Sequence, residues 1–191
     1  MENSNVLYIK NMVCPRCKLA VKNLLTDMGC NVLAVELGQA VVSSRSLPAI
    51  SEVANKLRTI GFDLLSTRKT KLVERIKILL IYDIYYQSCQ VTLSQVQNYL
   101  ELATHQNYQY LDTQFYSVYQ ISIKDYWDKL RFERAKELLS YNEKAPDEIA
   151  RELGYATEDD LELTFKQNLH LSISEYIQSE NNYRSPLNKL P

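Results

Sequence analysis

Cys14 and Cys17 are the side chains whose type and spacing point most directly to chemistry. Thiolates are soft donors, and a Cys-x-x-Cys spacing lets two sulfurs converge on one soft ion. Cu(I) is satisfied by two sulfurs alone. Zn(II) or another soft metal, the alternative, needs further ligands from a partner or a second copy. The pair lies in Asn11-Met12-Val13-Cys14-Pro15-Arg16-Cys17, between a short apolar run and a stretch of helical periodicity. A helix N-terminus favours thiolate through its partial positive charge, and Arg16 adds to that field. Pro15 suits a first helical turn, where no backbone donor is needed. Disulfide exchange, or two solvent-facing thiols that hold no ion, are the other uses of such a pair. Cys30 opens a predicted strand and reads as a small buried hydrophobe, while Cys89 falls in a loop with no evident role. His105 and His170 lie far along the chain and read as surface residues.

The elements that must position the pair follow from hydrophobic spacing. Val6 to Ile9 reads as a strand. Ala20, Val21, Leu24, Leu25 and Met28 recur at helical spacing, and Gly29 stops the helix. Leu33, Val35 and Leu37 alternate as a strand, Gly38-Gln39 turns, and Ala40 to Ser43 returns. Pro48 suits the first turn of a second helix that buries Ile50, Val53, Ala54, Leu57 and Ile60. After Gly61, Phe62 to Ser66 gives the last strand. The order βαββαβ predicts a ferredoxin-like sandwich over residues 5–66, followed by a polar, basic linker at 67–71.

Beyond the linker the periodicity is helical throughout, over about 72–86, 93–103, 108–119, 123–140, 147–153, 158–168 and 172–179. The fold class is therefore α+β: a ferredoxin-like domain, then an all-helical domain at 72–180 and a tail at 181–191. In the long helix, Ile123, Tyr126, Trp127, Leu130 and Leu138 gather on one side, and Phe132, Ala135 and Leu139 on another. Two apolar faces suit a helix wedged between two helical subdomains.

Strand, Met12-x-Cys14-x-x-Cys17, helix and a further βαβ resembles the heavy-metal-associated domain of copper chaperones and P-type ATPase tails. The resemblance implies Cys14 and Cys17 as metal ligands and Met12 packed beneath the loop. Asn11 stands where that family usually has glycine, a departure that bears on the loop conformation. The helical half carries a second resemblance. Its motifs are Leu93-Ser94-Gln95-Val96 through Leu111 and Phe115, the Leu130–Leu139 stretch, and Ile149-Ala150-Arg151-Glu152-Leu153-Gly154-Tyr155 with Leu161, Phe165 and Lys166. It is similar to the DNA-binding domain of AraC-type transcription regulators, with two helix-turn-helix units joined by a bridging helix. That resemblance implies DNA contacts near Asn107, Tyr108, Gln109, Asp112 and Thr113 in the first unit. In the second it implies Thr157, Glu158, Asp159, Asp160, Leu163 and Lys166.

Charge runs against the second resemblance. Residues 1–70 hold nine Lys/Arg and five Asp/Glu, net +4, while residues 71–191 hold thirteen and eighteen, net −5. DNA phosphates call for cations, yet Glu158, Asp159, Asp160 and Glu162 crowd one presumed recognition helix. Acidic residues there also stabilise a first helical turn through its dipole. The positives near the presumed docking face are chiefly Lys124, Arg131 and Lys166. Two functions stay open. One is a DNA-binding regulator whose cysteine domain senses a soft metal. The other is a metal-binding adaptor or chaperone whose degenerate helix-turn-helix domain binds protein. Without a phosphate-binding glycine loop or a Ser/His/Asp set, no enzyme is expected. No run reaches the ~20 apolar residues that cross a bilayer, and the N-terminus lacks a signal-peptide pattern. A cytoplasmic protein with no membrane partner is expected; the oligomeric state is not readable.

Overall fold

The computed structural model describes residues 4–87, 92–179 and 183–190, so Cys89 lies outside the described residues. The chain divides into two compact units, residues 1–78 and 79–191.

In the first unit the elements run β1 (Ser4–Lys10), α1 (Pro15–Asp27), β2 (Val32–Glu36), β3 (Gln39–Ser43), α2 (Ile50–Thr59) and β4 (Asp63–Leu64). The four strands form one sheet in the order β2-β3-β1-β4, every neighbouring pair antiparallel. Leu7 and Ile9 of β1, Val21 and Leu25 of α1, and Val53 and Leu57 of α2 meet in one core with Ala40, Val42 and Met12. Three details depart from the sequence reading. The register between β2 and β3 shifts between Val32 and Ala34. Such an irregularity breaks period-two alternation, so Val32 and Val35 pack on the core while Leu33 is 47% exposed. The second helix begins at Ile50, two residues after Pro48. Ile50 and Ile60, expected on its buried side, are exposed at its two ends. Finally, β4 spans Asp63–Leu64 alone.

The expected linker is helical. α3 (Arg68–Tyr86) begins at Arg68, where the Thr67 hydroxyl accepts the Thr70 N–H at 3.1 Å. A Thr in that place supplies an acceptor for an orphan donor of the first turn. Polar, basic composition reads as a linker at 67–71, but Lys and Arg are good helix formers. The boundary between the units falls inside α3, after Ile78. Ile78 itself closes on the β2–β3 turn: a Cβ at Gly38 (φ +77°) would lie 2.0 Å from its Cδ1. Glycine meets both demands of that site, a left-handed backbone and no side chain.

The second unit continues with α4 (Leu93–Thr104), α5 (Tyr108–Tyr119), α6 (Ile123–Tyr141), α7 (Pro146–Glu152), α8 (Glu158–Leu169) and α9 (Ile173–Gln178). α6 is the bridging helix, with eleven buried residues among its nineteen. Phe132, Ala135 and Leu139 pack with Ile149, Leu153, Leu161 and Phe165, and Leu138 joins this cluster rather than the face of Leu130. On the other side, Val96, Leu100, Leu111, Phe115 and Tyr126 are buried, and the Phe115 and Tyr126 rings lie 5.3 Å apart.

The two halves of this unit repeat at a constant offset of 50 residues. Asn107 and Thr157 cap α5 and α8; Leu111 and Leu161, Phe115 and Phe165 fill their buried stripes. Gln120 and His170 end both helices in the left-handed conformation. Ser122 and Ser172 then cap α6 and α9. Where it is described, the tail packs on α6. Tyr183, Arg184 and Ser185 lie along α6, followed by a 3-10 turn at Leu187–Lys189. Among the described residues no helix is long and apolar enough to cross a membrane.

Candidate functional site

Cys14 is the N-cap of α1, extended at φ −152° and ψ 164°, with Pro15 starting the helix. The Cys17 N–H donates to the Cys14 carbonyl at 3.0 Å, which folds the first turn back on itself. This brings the two Sγ atoms to 3.0 Å, in hydrogen-bond contact. A disulfide needs about 2.05 Å, and both cysteines are free thiols, each half-buried. Burial pushes the Cys17 thiol above its ordinary value, the Cys14 hydrogen bond adds to the rise, and backbone N–H groups of Val13 and Cys14 oppose it. The expected thiolate-favouring field of the helix is therefore outweighed at Cys17. Cys30 is buried, as expected.

Two observations bear on a metal ion. Bonds near 2.3 Å would set sulfurs about 3.8 Å apart around a tetrahedral ion and about 4.6 Å apart around a linear one. At 3.0 Å the pair must spread to admit either. Among the described residues no group of three or more His, Cys, Asp or Glu side chains could hold an ion. The donor set is thus two soft sulfurs, which fits Cu(I) without help and Zn(II) only with outside ligands. His105 and His170 are exposed and lie in the other unit.

The loop leading to the pair is held by Asn11. Its backbone is left-handed at φ 72°, the conformation for which glycine is usual. Asn tolerates this region better than most residues. Its N–H donates to Glu74 Oε1 at 2.8 Å and its Nδ2 to the Gly61 carbonyl at 3.1 Å. Asn11 thus adopts the left-handed turn and anchors it through both bonds. Met12 beyond it is fully buried.

The second candidate surface is formed by α5 and α8. Several residues expected to meet DNA have structural tasks. Asn107 Oδ1 accepts the Tyr110 N–H at 2.8 Å. Thr157 and Asp160 form a reciprocal capping box at the head of α8. Asp112 accepts the Ile123 N–H at 2.7 Å, and its repeat partner Glu162 accepts the Ile173 N–H at 2.8 Å. Tyr108 is half-buried, and burial together with Asp112 pushes its hydroxyl up to about 12. Gln109 and Thr113 are exposed one turn apart on α5, joined by a Thr113 hydroxyl to Gln109 carbonyl bond of 2.9 Å. Glu158, Asp159 and Leu163 are exposed on α8.

The cations of this unit are largely committed within it. Lys124 pairs with Asp128 at 2.7 Å, Lys166 with Glu162 at 3.0 Å and Arg151 with Asp147 at 2.9 Å. Lys144 pairs with Glu152. Arg131, expected near a docking face, is buried. Its Nε donates to the Leu153 carbonyl at 2.6 Å, and its guanidinium lies 4.3 Å from the Trp127 ring centre and 4.1 Å from that of Tyr155. No Lys or Arg occurs between Ile78 and Ile123, so α4 and α5 carry neither.

A family model described as a helix-turn-helix domain matches residues 102–179, from within α4 to just past α9. The match supports an AraC-type helix-turn-helix domain in this part of the chain, and with it the class of DNA-binding transcription regulators. No curated protein and no solved structure matches the chain.

Proposed function

We propose that the chain is a cytoplasmic, non-enzymatic AraC-type regulator whose N-terminal unit is a ferredoxin-like domain of the heavy-metal-associated kind. Cys14 and Cys17 would take up a soft metal, Cu(I) first and Zn(II) or another soft ion second. α5 and α8 would enter DNA grooves. The observation that carries the regulator reading is the family match at residues 102–179, which takes in α5 and α8, two helices whose caps and buried stripes recur in the same register. The sulfur contact at the head of α1 supports the sensor half. The test is DNA binding at low salt by fluorescence anisotropy on the organism's promoter fragments, with and without Cu(I). The Cys14→Ser/Cys17→Ser variant is run beside the natural chain. Sequence-selective binding that shifts with Cu(I) only in the natural chain is expected. Absence of selective DNA binding in either metal state rejects the regulator reading.

A second reading is favoured by one observation, the want of free cations on α5 and α8. On it the same surface, tyrosine-rich and acidic, binds a protein, and the thiol unit makes the chain a metal-binding adaptor.

A further inference from the structure

We infer that the C-terminal strap, residues 183–190, is a working part of the second helix-turn-helix unit and positions its helix α8, although the matched segment stops at Ser179. The argument is a closed circuit of contacts. Lys136 of α6, only 3% exposed, donates from Nζ to Glu133 Oε1 at 2.6 Å and to the Tyr183 carbonyl of the strap at 2.7 Å. Glu133, 6% exposed, accepts the strap's Ser185 N–H on its other oxygen at 2.8 Å. The Lys136 ammonium lies 4.8 Å from the Phe132 ring centre. Phe132 meets Phe165 of α8 edge-on at 4.9 Å, and Phe165 meets Tyr176 of α9 edge-on at 5.0 Å. Tyr176 donates its hydroxyl to the Lys136 carbonyl at 3.0 Å and packs against Tyr183 at 6.0 Å, which returns the circuit to the strap.

A buried ion pair is stable only when its remaining donors and acceptors are met. Here the strap backbone meets two of them. Lifting it leaves a buried ammonium and a buried carboxylate each short of a partner, directly behind the aromatic stack that seats α8. Arg184 adds an outer clasp, 3.0 Å from Glu137. The first unit supplies an internal control. Phe115 and Tyr126 occupy the places of Phe165 and Tyr176, but beyond Tyr126 the chain continues as α6. A strap can follow only the second copy.

The test compares the natural chain with one ending at residue 182, and with the full-length Lys136→Met and Lys136→Arg variants, by hydrogen exchange. Loss of the strap, or Lys136→Met, is expected to speed exchange in α8 and α9 by about tenfold or more, as loss of charge-assisted bonds implies. α4 and α5 keep their natural rates, and Lys136→Arg, which retains both donors, restores α8. Should the shortened chain not fold, the Lys136 pair decides alone. Equal acceleration in both units, no acceleration, or no difference between Met and Arg overturns the inference. The functional half rests on the proposed regulator reading: affinity for the selected DNA should fall with α8 protection across the same variants. If exchange responds and no DNA is bound by any variant, the regulator reading fails while the strap's role in seating α8 stands.

Discussion

At the scale of single residues, the two thiols behave as one group. A hydrogen bond of 3.0 Å joins them, and burial holds the Cys17 thiol above its ordinary value of 9.0. A thiol whose folded value is raised is protonated in the folded chain over a pH range in which the unfolded chain has already ionised. Its contribution to stability is therefore complete below about pH 9 and is lost as pH rises through the folded value. The metal-free protein is expected to lose thermal stability above about pH 9, with alkylation of Cys17 slow until that range. In Cys17→Ser the share due to this thiol disappears. An alkaline limb unchanged by the substitution would show that other groups produce it. Asn11 illustrates what residue types alone leave open. Its departure from glycine raised a question about the loop, and the answer lay in partners 50 and 63 residues away.

At the scale of elements, helix boundaries in the second unit were legible because their signals are local. A Ser, Thr or Asn cap precedes each of α4, α5, α6, α8 and α9, and apolar residues repeat at helical spacing behind it. What was not legible depends on distant partners. The bulge that turns Leu33 outward is decided by pairing with β3, and the position of Leu138 by α7 and α8. The strap carries no periodicity at all, and only its contacts with Glu133 and Lys136 reveal it. The same reasoning splits the residues expected at a DNA interface. Asn107→Ala and Thr157→Ala each remove a cap and are expected to cost about 1 kcal/mol in stability. Thermal melts beside DNA titrations at a temperature where all variants are folded check this. Lower melting with unchanged affinity marks caps, whereas lost affinity at unchanged melting would make these residues direct contacts.

At the scale of the whole molecule, the distribution of charge sets the kind of DNA affinity available. Each phosphate neutralised by a cation contributes about 0.9 to the slope of log affinity against log salt. The first helix-turn-helix repeat, α4 and α5, has no Lys or Arg, and Lys124, Arg151 and Lys166 are already paired with carboxylates. A shallow salt slope, corresponding to about two or three phosphates, is the expected result of anisotropy titrations across salt concentrations. A steep slope would mean that these ion pairs open on binding. The charge asymmetry was readable from composition, but the commitment of individual cations was not, because it depends on which carboxylate each one faces.

The sulfur contact has one more consequence, which concerns what leaves the site when something enters it. A soft ion bonds the deprotonated form of each thiol, so on the proposed reading capture of Cu(I) by Cys14 and Cys17 would expel hydrogen ions into the medium. Uptake would acidify an unbuffered solution, and a more acid surrounding would loosen the grip. A chain built this way would report acidity and copper supply as a single combined signal.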